Sequence, residues 1–248
     1  MRTVTIKWAI PIALAAALVA GCGNADDAGT PAPAATSASP AGNGIADQTP
    51  DEILKQAKAA LLSAKSYRLK GDVVEEGENL SLDLAISGKD VQGKISAGAA
   101  QGTVEVLAVG GQQFIRPDEK FWTATAGADQ GKTIAKMMGD KWAKVSAKDQ
   151  DLSELFSLAN VDDLLSPTGT VTKGDTKQID GVDALALLDG GSAGSKLWVA
   201  TSGEPYPLLM EGADSKDGGL AFSDFGKDLG IKAPAEADVI DFDKLAGK

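Results

Sequence analysis

The chain has 248 residues, 24 basic and 35 acidic side chains, a net charge of −11, one cysteine and no histidine. Without imidazole, Ser-His-Asp and Cys-His catalysis and His-ligated zinc are excluded. The acidic balance disfavours nucleic acid and anionic headgroups as partners, and a lone thiol leaves no intramolecular disulfide.

Arg2 and Lys7 stand before and at the edge of an uncharged stretch running from Trp8 to Ala20. That stretch is shorter than the ~20 apolar residues a bilayer span needs, and it fits the central region of a secretory signal. It ends in Val19-Ala20-Gly21-Cys22, which resembles the lipobox of bacterial lipoproteins: a diacylglycerol, palmitate-like in its chains, joins the thiol and the peptide is cut before it. Residues 1–21 are therefore expected to be a signal peptide and Cys22 the lipidated first residue of the mature protein. Each buried methylene contributes ~0.8 kcal/mol and stable anchoring takes more than one chain, so the expected place is the outer face of the cell membrane. Loss of Arg2 and Lys7 leaves a mature net charge of −13.

Residues 22–48 are expected to form the lipidated cysteine and a flexible tether: Gly, Ala, Ser, Thr and Pro dominate, with Ile45 as the one branched apolar residue. Residues 49–248 suit a single domain. Thr49-Pro50-Asp51-Glu52 places a cap, a proline and two acids at a helix start. Ile53, Leu54, Ala57, Ala60, Leu61 and Ala64 then recur at helical spacing up to Ser66.

The period next falls to two. Tyr67, Leu69, Gly71 and Val73 alternate with Arg68, Lys70, Asp72 and Val74, and Leu80, Leu82, Leu84 and Ile86 make the cleanest strand. Further strands are expected near 91–99, 103–109, 112–116 and 120–125. Residues 130–138 carry Ile134, Met137 and Met138 on one helical face, 141–145 read as extended, and a short helix with Leu155, Phe156 and Leu158 opens at Asp151. Strands resume near 170–178, 182–188, 196–201, 206–214 and 219–225. Short Gly- and Asp-rich turns between them imply antiparallel pairing. The expected fold class is α+β: about ten strands, a number at which twisted sheets tend to curl, partly closing around a few helices.

The close acid pairs, Glu75-Glu76, Asp162-Asp163 and Asp241 with Asp243, read as solvated turn acids. The spacing around Asp214 and Asp217 does not match an EF-hand loop, and Gly131-Lys132-Thr133 lacks the upstream glycine of a phosphate loop. No catalytic residue, metal or cofactor is expected. The apolar residues are more informative. Leu80, Leu82, Leu84, Ile86, Val104 and Val106 suit either packed core or the lining of a cavity. Ile134, Met137, Met138, Leu155 and Leu158 suit its cover, methionine being adaptable to varied apolar partners. The case for a cavity is architectural, since so few helices are little material to fill a large curled sheet.

Several segments together carry a family resemblance. These are Val109-Gly110-Gly111-Gln112-Gln113-Phe114-Ile115, Phe121-Trp122, Lys141-Trp142-Ala143-Lys144-Val145 and Gly174 to Val182. Leu197-Trp198-Val199-Ala200, Tyr206-Pro207-Leu208, Phe222-Ser223-Asp224-Phe225-Gly226 and Ile231-Lys232-Ala233-Pro234 complete the set. With the lipobox and tether they resemble actinobacterial lipoproteins of the LppX/LprA/LprF/LprG type, related in fold to the carrier LolA. The resemblance spans roughly residues 50–242. It implies a curled antiparallel half-barrel enclosing helices, with a hydrophobic cavity for lipid or lipoglycan acyl chains and a membrane transporter as a partner. The expected function is a non-catalytic, membrane-anchored extracytoplasmic binder or carrier of lipid. The alternative is a ligand-free envelope interaction or sensor module.

Overall fold

A computed structural model describes residues 42–75, 78–145, 156, 160–191, 195–212 and 214–241. Cys22 lies outside the described residues, as do Leu155 and Leu158 of the short helix expected from Asp151; Phe156 of that segment is buried in the core.

Helix α1 (Pro50–Ala64) forms where the sequence places it. The Thr49 hydroxyl accepts from the Glu52 amide, and the Glu52 carboxylate accepts from the Thr49 amide at 3.0 Å, closing a capping box. Ile53, Ala57, Ala60 and Leu61 are its buried face. Ahead of it, residues 42–48, read from composition as tether, are docked. Gly42 bridges Ser202, Asn43 Nδ2 donates to the carbonyls of Ala200 and Gly203, and Ile45 is only 1% exposed.

Among the described residues twelve strands share one sheet. In chain order β1 (Ser66–Glu75), β2 (Glu78–Ser87), β3 (Asp90–Ala97), β4 (Thr103–Val109) and β5 (Gln112–Pro117) form the first meander. Then come β6 (Trp142–Lys144) and a second meander of β7 (Val171–Ile179), β8 (Val182–Asp189), β9 (Lys196–Ala200), β10 (Pro207–Glu211) and β11 (Gly218–Ser223), with β12 (Val239–Asp241) last. The spatial order is β12-β6-β5-β4-β3-β2-β1-β11-β10-β9-β8-β7. The two meanders join through β1 and β11, antiparallel from Arg68 opposite Ser223 to Val73 opposite Gly218. Gly71 permits that approach: a Cβ there would overlap the Gly219 carbonyl.

This order corrects the expected curled antiparallel half-barrel of about ten strands. The sheet is open and neither closed nor strongly curled, its outermost strands being β7 and β12. One pair, β12 with β6, is parallel. Strand number alone suggested curling, but closing a sheet requires its edges to pair along comparable lengths. Here one edge is three residues long and the other is a nine-residue strand with a register shift between Lys173 and Thr176. The parallel pair arises because the chain leaves β11 and crosses to the far edge, and parallel neighbours need such a long connection. A second correction concerns 120–125, expected as a strand. It lies in helix α3 (Glu119–Ala126), started by the Asp118 carboxylate accepting from the Phe121 amide at 2.8 Å.

Between β3 and β4 runs the short α2 (Gly98–Gln101); α4 (Ala128–Met138) follows α3, and α5 (Val161–Leu164) precedes β7. Residues of α1, α4 and α5 share buried clusters with one face of the sheet, and Phe121 and Trp122 of α3 pack against the same side. On that inner face one register row runs Leu187, Leu197, Met210, Leu220, Gly71, Leu82, Ile95 and Val104. The outer face of the first meander carries the opposite chemistry. Lys70, Asp83, Lys94, Glu105 and Arg116 sit directly opposite one another on β1 to β5, alternating in sign. Lys70 meets Asp83 at 3.0 Å, Lys94 meets Glu105 at 3.5 Å and Arg116 meets Glu105 at 2.5 Å. Opposite charges directly across strands favour this register.

Candidate functional site

The sequence-derived cavity residues are brought together, but as core. Leu82, Leu84 and Ile86 of β2, Val104 and Val106 of β4, and Met138 of α4 are buried in one cluster, with Leu80 and Ile134 half-buried against it. Met137 stands apart, 61% exposed on the outer side of α4.

An apolar pocket of about 90 Å³ lies instead over the second meander. Its walls are Leu54 of α1, the segment 164–167 at the end of α5, Val171 of β7, Leu187 of β8, Leu197 of β9 and Met210 of β10. Leu187, Leu197 and Met210 are register neighbours, so three adjacent strands present one apolar floor beneath α1. None of the sequence-derived residues lines it. The sequence carried no signal for the floor, because β8 to β10 are apolar on both faces: Ala184, Ala186 and Trp198 cluster with Leu188 and Leu209 on the other side. The α5 wall carried none either, because Ser166-Pro167 reads as a turn.

Two carboxylates brace the pocket, Asp189 at its rim and Glu211 behind its floor. Asp189 accepts from the Thr168 amide (2.8 Å) and hydroxyl (3.0 Å), the Gly169 amide (2.9 Å) and the Gly191 amide (3.0 Å). The bond from the Thr168 amide leads in holding its carboxyl below the usual range. This pins the chain after Pro167 to the end of β8 and so fixes the α5 wall. For Glu211, burial pushes the carboxyl up, but bonds from Lys177 (2.6 Å) and the Trp198 indole (2.7 Å) outweigh it, and the net shift is downward. Lys177 also lies 4.0 Å from the centre of the Trp198 ring. These contacts tie β7, β9 and β10 together on the outer face, behind the floor.

The acid pair Asp162-Asp163 opens α5: Asn160 accepts from the Asp162 amide at 3.1 Å and donates to Asp163 at 2.7 Å. Both acids are exposed and serve the helix start. Glu76 and Asp243 lie outside the described residues; Asp241 pairs with Lys144 at 3.4 Å. Among the described residues no group of three or more His, Cys, Asp or Glu is placed to hold a metal. In the same residues no helix is long and apolar enough to cross a membrane.

No protein-family model and no curated protein matches the chain. Among solved structures, LprF from Mycobacterium bovis superposes with a TM-score of 0.51 at 11% identity, covering 75% of this chain and 97% of that one. Mycobacterium tuberculosis lipoprotein LppX gives 0.44 at 15%, covering 73% and 99%. An uncharacterized conserved protein from Thermus thermophilus gives 0.39 at 11%, covering 77% and 98%. The described domain thus shares the fold of LprF, at an identity that speaks to fold alone.

Proposed function

We propose that this protein is a non-catalytic, membrane-tethered binder of an apolar ligand. In this reading residues 1–21 direct export, acyl chains on Cys22 hold the chain at the outer face of the membrane, and the residues up to about 41 form the tether. The pocket between α1, α5 and the β8 to β10 floor receives one end of an acyl chain. A lipid or lipoglycan is the ligand class, and a membrane transporter is the partner suited to hand it over. The supporting observation is an apolar pocket whose two walls are separate pieces, a helix on one side and a loop pinned by Asp189 on the other.

Its size matters. A volume of about 90 Å³ is about three times the ~30 Å³ share of a liquid water, and well under the ~300–1,000 Å³ of ordinary ligand sites. A whole acyl chain enters only if α1 or the 164–167 segment moves off the sheet. The same number favours a second reading, a ligand-free envelope interaction module with a filled core. Mass spectrometry of a Cys22→Ser form purified without detergent separates the two. Co-purified lipid, lost from a Leu197→Trp variant whose indole fills the pocket, supports the first reading. No lipid, together with a protein partner captured by cross-linking in the native envelope, supports the second.

A further inference from the structure

The outer face of the first meander has more room beside it than the apolar pocket. Three clefts adjoin there, of about 750, 290 and 200 Å³. Ser96 lines all three, and Ser81, Lys94, Thr103 and Asp118 each line two, so they form one trough. The largest falls within the ~300–1,000 Å³ of ordinary ligand sites. Two register rows make its floor. One is the charge ladder of Lys70, Asp83, Lys94, Glu105 and Arg116; the other is Asp72, Ser81, Ser96 and Thr103. The wall comes from the helices: Glu119 opens α3, Ala135 and Lys136 lie in the last turn of α4, and Gly139 and Asp140 follow it. A ladder that served only to set register would need no wall.

The polar groups are held in place. Arg116 donates to Glu105 at 2.5 Å and to the Asp140 carbonyl at 3.2 Å, and lies 4.7 Å over the Trp142 ring. Asp118 accepts from the Thr103 amide at 3.0 Å and the Phe121 amide at 2.8 Å, and the Ser96 and Thr103 hydroxyls are 2.7 Å apart. These bonds fix the side chains without exhausting them. A guanidinium has five N–H groups, of which Arg116 uses two in these bonds, and each carboxylate oxygen has two lone pairs.

Charge narrows the ligand class. Around the largest cleft Lys94, Arg116 and Lys136 stand against Glu105, Asp118, Glu119 and Asp140, one charge short of balance. Donors and acceptors thus interleave at the strand spacing of ~4.8 Å. An anion is drawn by a field of one sign, which this trough lacks. A metal needs converging acids, and among the described residues none converge. An acyl chain or an apolar peptide would leave the polar lining desolvated and unpaired. An uncharged chain dense in hydroxyl groups, each both donor and acceptor, meets these conditions.

We propose that this trough binds a neutral glycan, on the opposite face of the sheet from the apolar pocket. Lys94, Thr103, Glu105 and Arg116 on the floor and Lys136 on the wall contact its hydroxyls. The site is independent of the lipid-binding reading, and either can fail alone.

The test titrates the ¹⁵N-labelled Cys22→Ser chain with maltohexaose, chitohexaose and a sulfated hexasaccharide and follows the amide shifts. A neutral hexasaccharide is expected to move amides of 94–105, 116–119 and 135–140 and to leave those of α1 and β8 to β10 in place. Thr103→Val and Lys136→Ala each weaken that binding about 5-fold. Met137→Ala, on the same helix but 61% exposed and outside the trough, leaves it unchanged. A second arm uses phosphatidylcholine vesicles with and without digalactosyl diacylglycerol. Binding of a soluble hexasaccharide identifies a free glycan; retention by the glycolipid vesicles alone, lost in Thr103→Val and Lys136→Ala, identifies a sugar headgroup. Preference for the sulfated probe overturns the neutral ligand class. Shifts that are absent or scattered with every probe, together with equal behaviour on both vesicles, overturn the site, while lipid co-purified in the apolar pocket is unaffected by that result.

Discussion

Ile45→Ala tests where the folded domain begins. Composition makes Ile45 part of a tether, in which truncation costs nothing. In the fold it is 1% exposed and clustered with Ile53 and Ala57 of α1 and Leu185, Leu187 and Val199 of the sheet. Removing three carbons forfeits ~0.8 kcal/mol each in transfer free energy. The unfilled space adds to this, so the expected loss is about 2.5–4 kcal/mol. The upper end is reached only if residues 42–48 stay docked in the variant. Their polar anchors argue that they do: Asn43 donates its amide N–H to Thr201 O at 2.8 Å, and its Nδ2 to Ala200 O and Gly203 O at 3.1 Å. The assay is urea unfolding of the Cys22→Ser form, reading the midpoint at constant m. Asp47→Ala, exposed on the same segment, is the control and should fall within about 0.5 kcal/mol of wild type. If Ile45→Ala matches that control, the segment is tether and its docking contributes nothing.

Further outcomes follow from contacts elsewhere in the domain. Glu105→Gln removes the carboxylate between Lys94 and Arg116; with both partners part-exposed the expected loss is about 1 kcal/mol, shrinking at 1 M salt where the Debye length is ~3 Å. Gly71→Ala, whose Cβ would overlap the β11 backbone, should cost about 3 kcal/mol or more in urea unfolding. Gly110→Ala, in open space at φ +59, should lose only about 1–2 kcal/mol. Finally, Tyr67 is raised from 10.0 to about 12, so its contribution is complete below pH ~10 and is lost as pH rises through about 12. At 1.36 kcal/mol per unit that is about 2–3 kcal/mol, seen as a steeper alkaline loss in wild type than in Tyr67→Phe. In acid the sign is opposite for Asp83, Asp189 and Glu211, all lowered. Their stabilisation is present above pH ~4 and fades as pH falls below it.

Much of this fold is legible in the residues one by one. Thr49, Pro50 and Glu52 carry the capping box, and the alternation of Leu80, Leu82, Leu84 and Ile86 names the buried face of β2. These are local signals, written within one turn of helix or one strand. Residues 120–125 misled because Phe, Trp and Thr favour strands, whereas Asp118 caps a helix and α4 packs against it. The pocket was illegible for a related reason. Leu187, Leu197 and Met210 stand beside equally apolar Leu188, Trp198 and Leu209 of the other face, and nothing in their spacing says that Leu54 and Leu164 stand opposite them.

The sequence by itself determined two meanders, their first helix and the apolar side of strands such as β2, because side-chain periodicity depends only on neighbours a few residues away. Strands β8 and β9, apolar on both faces, gave no such sign. Tertiary structure alone decided that β1 pairs with β11, that β12 returns parallel to β6 and leaves the sheet open, and that Ile45 is core. Those outcomes depend on which surfaces meet across roughly 100 to 160 residues of chain, and a period of two states the face of a strand without naming its partner.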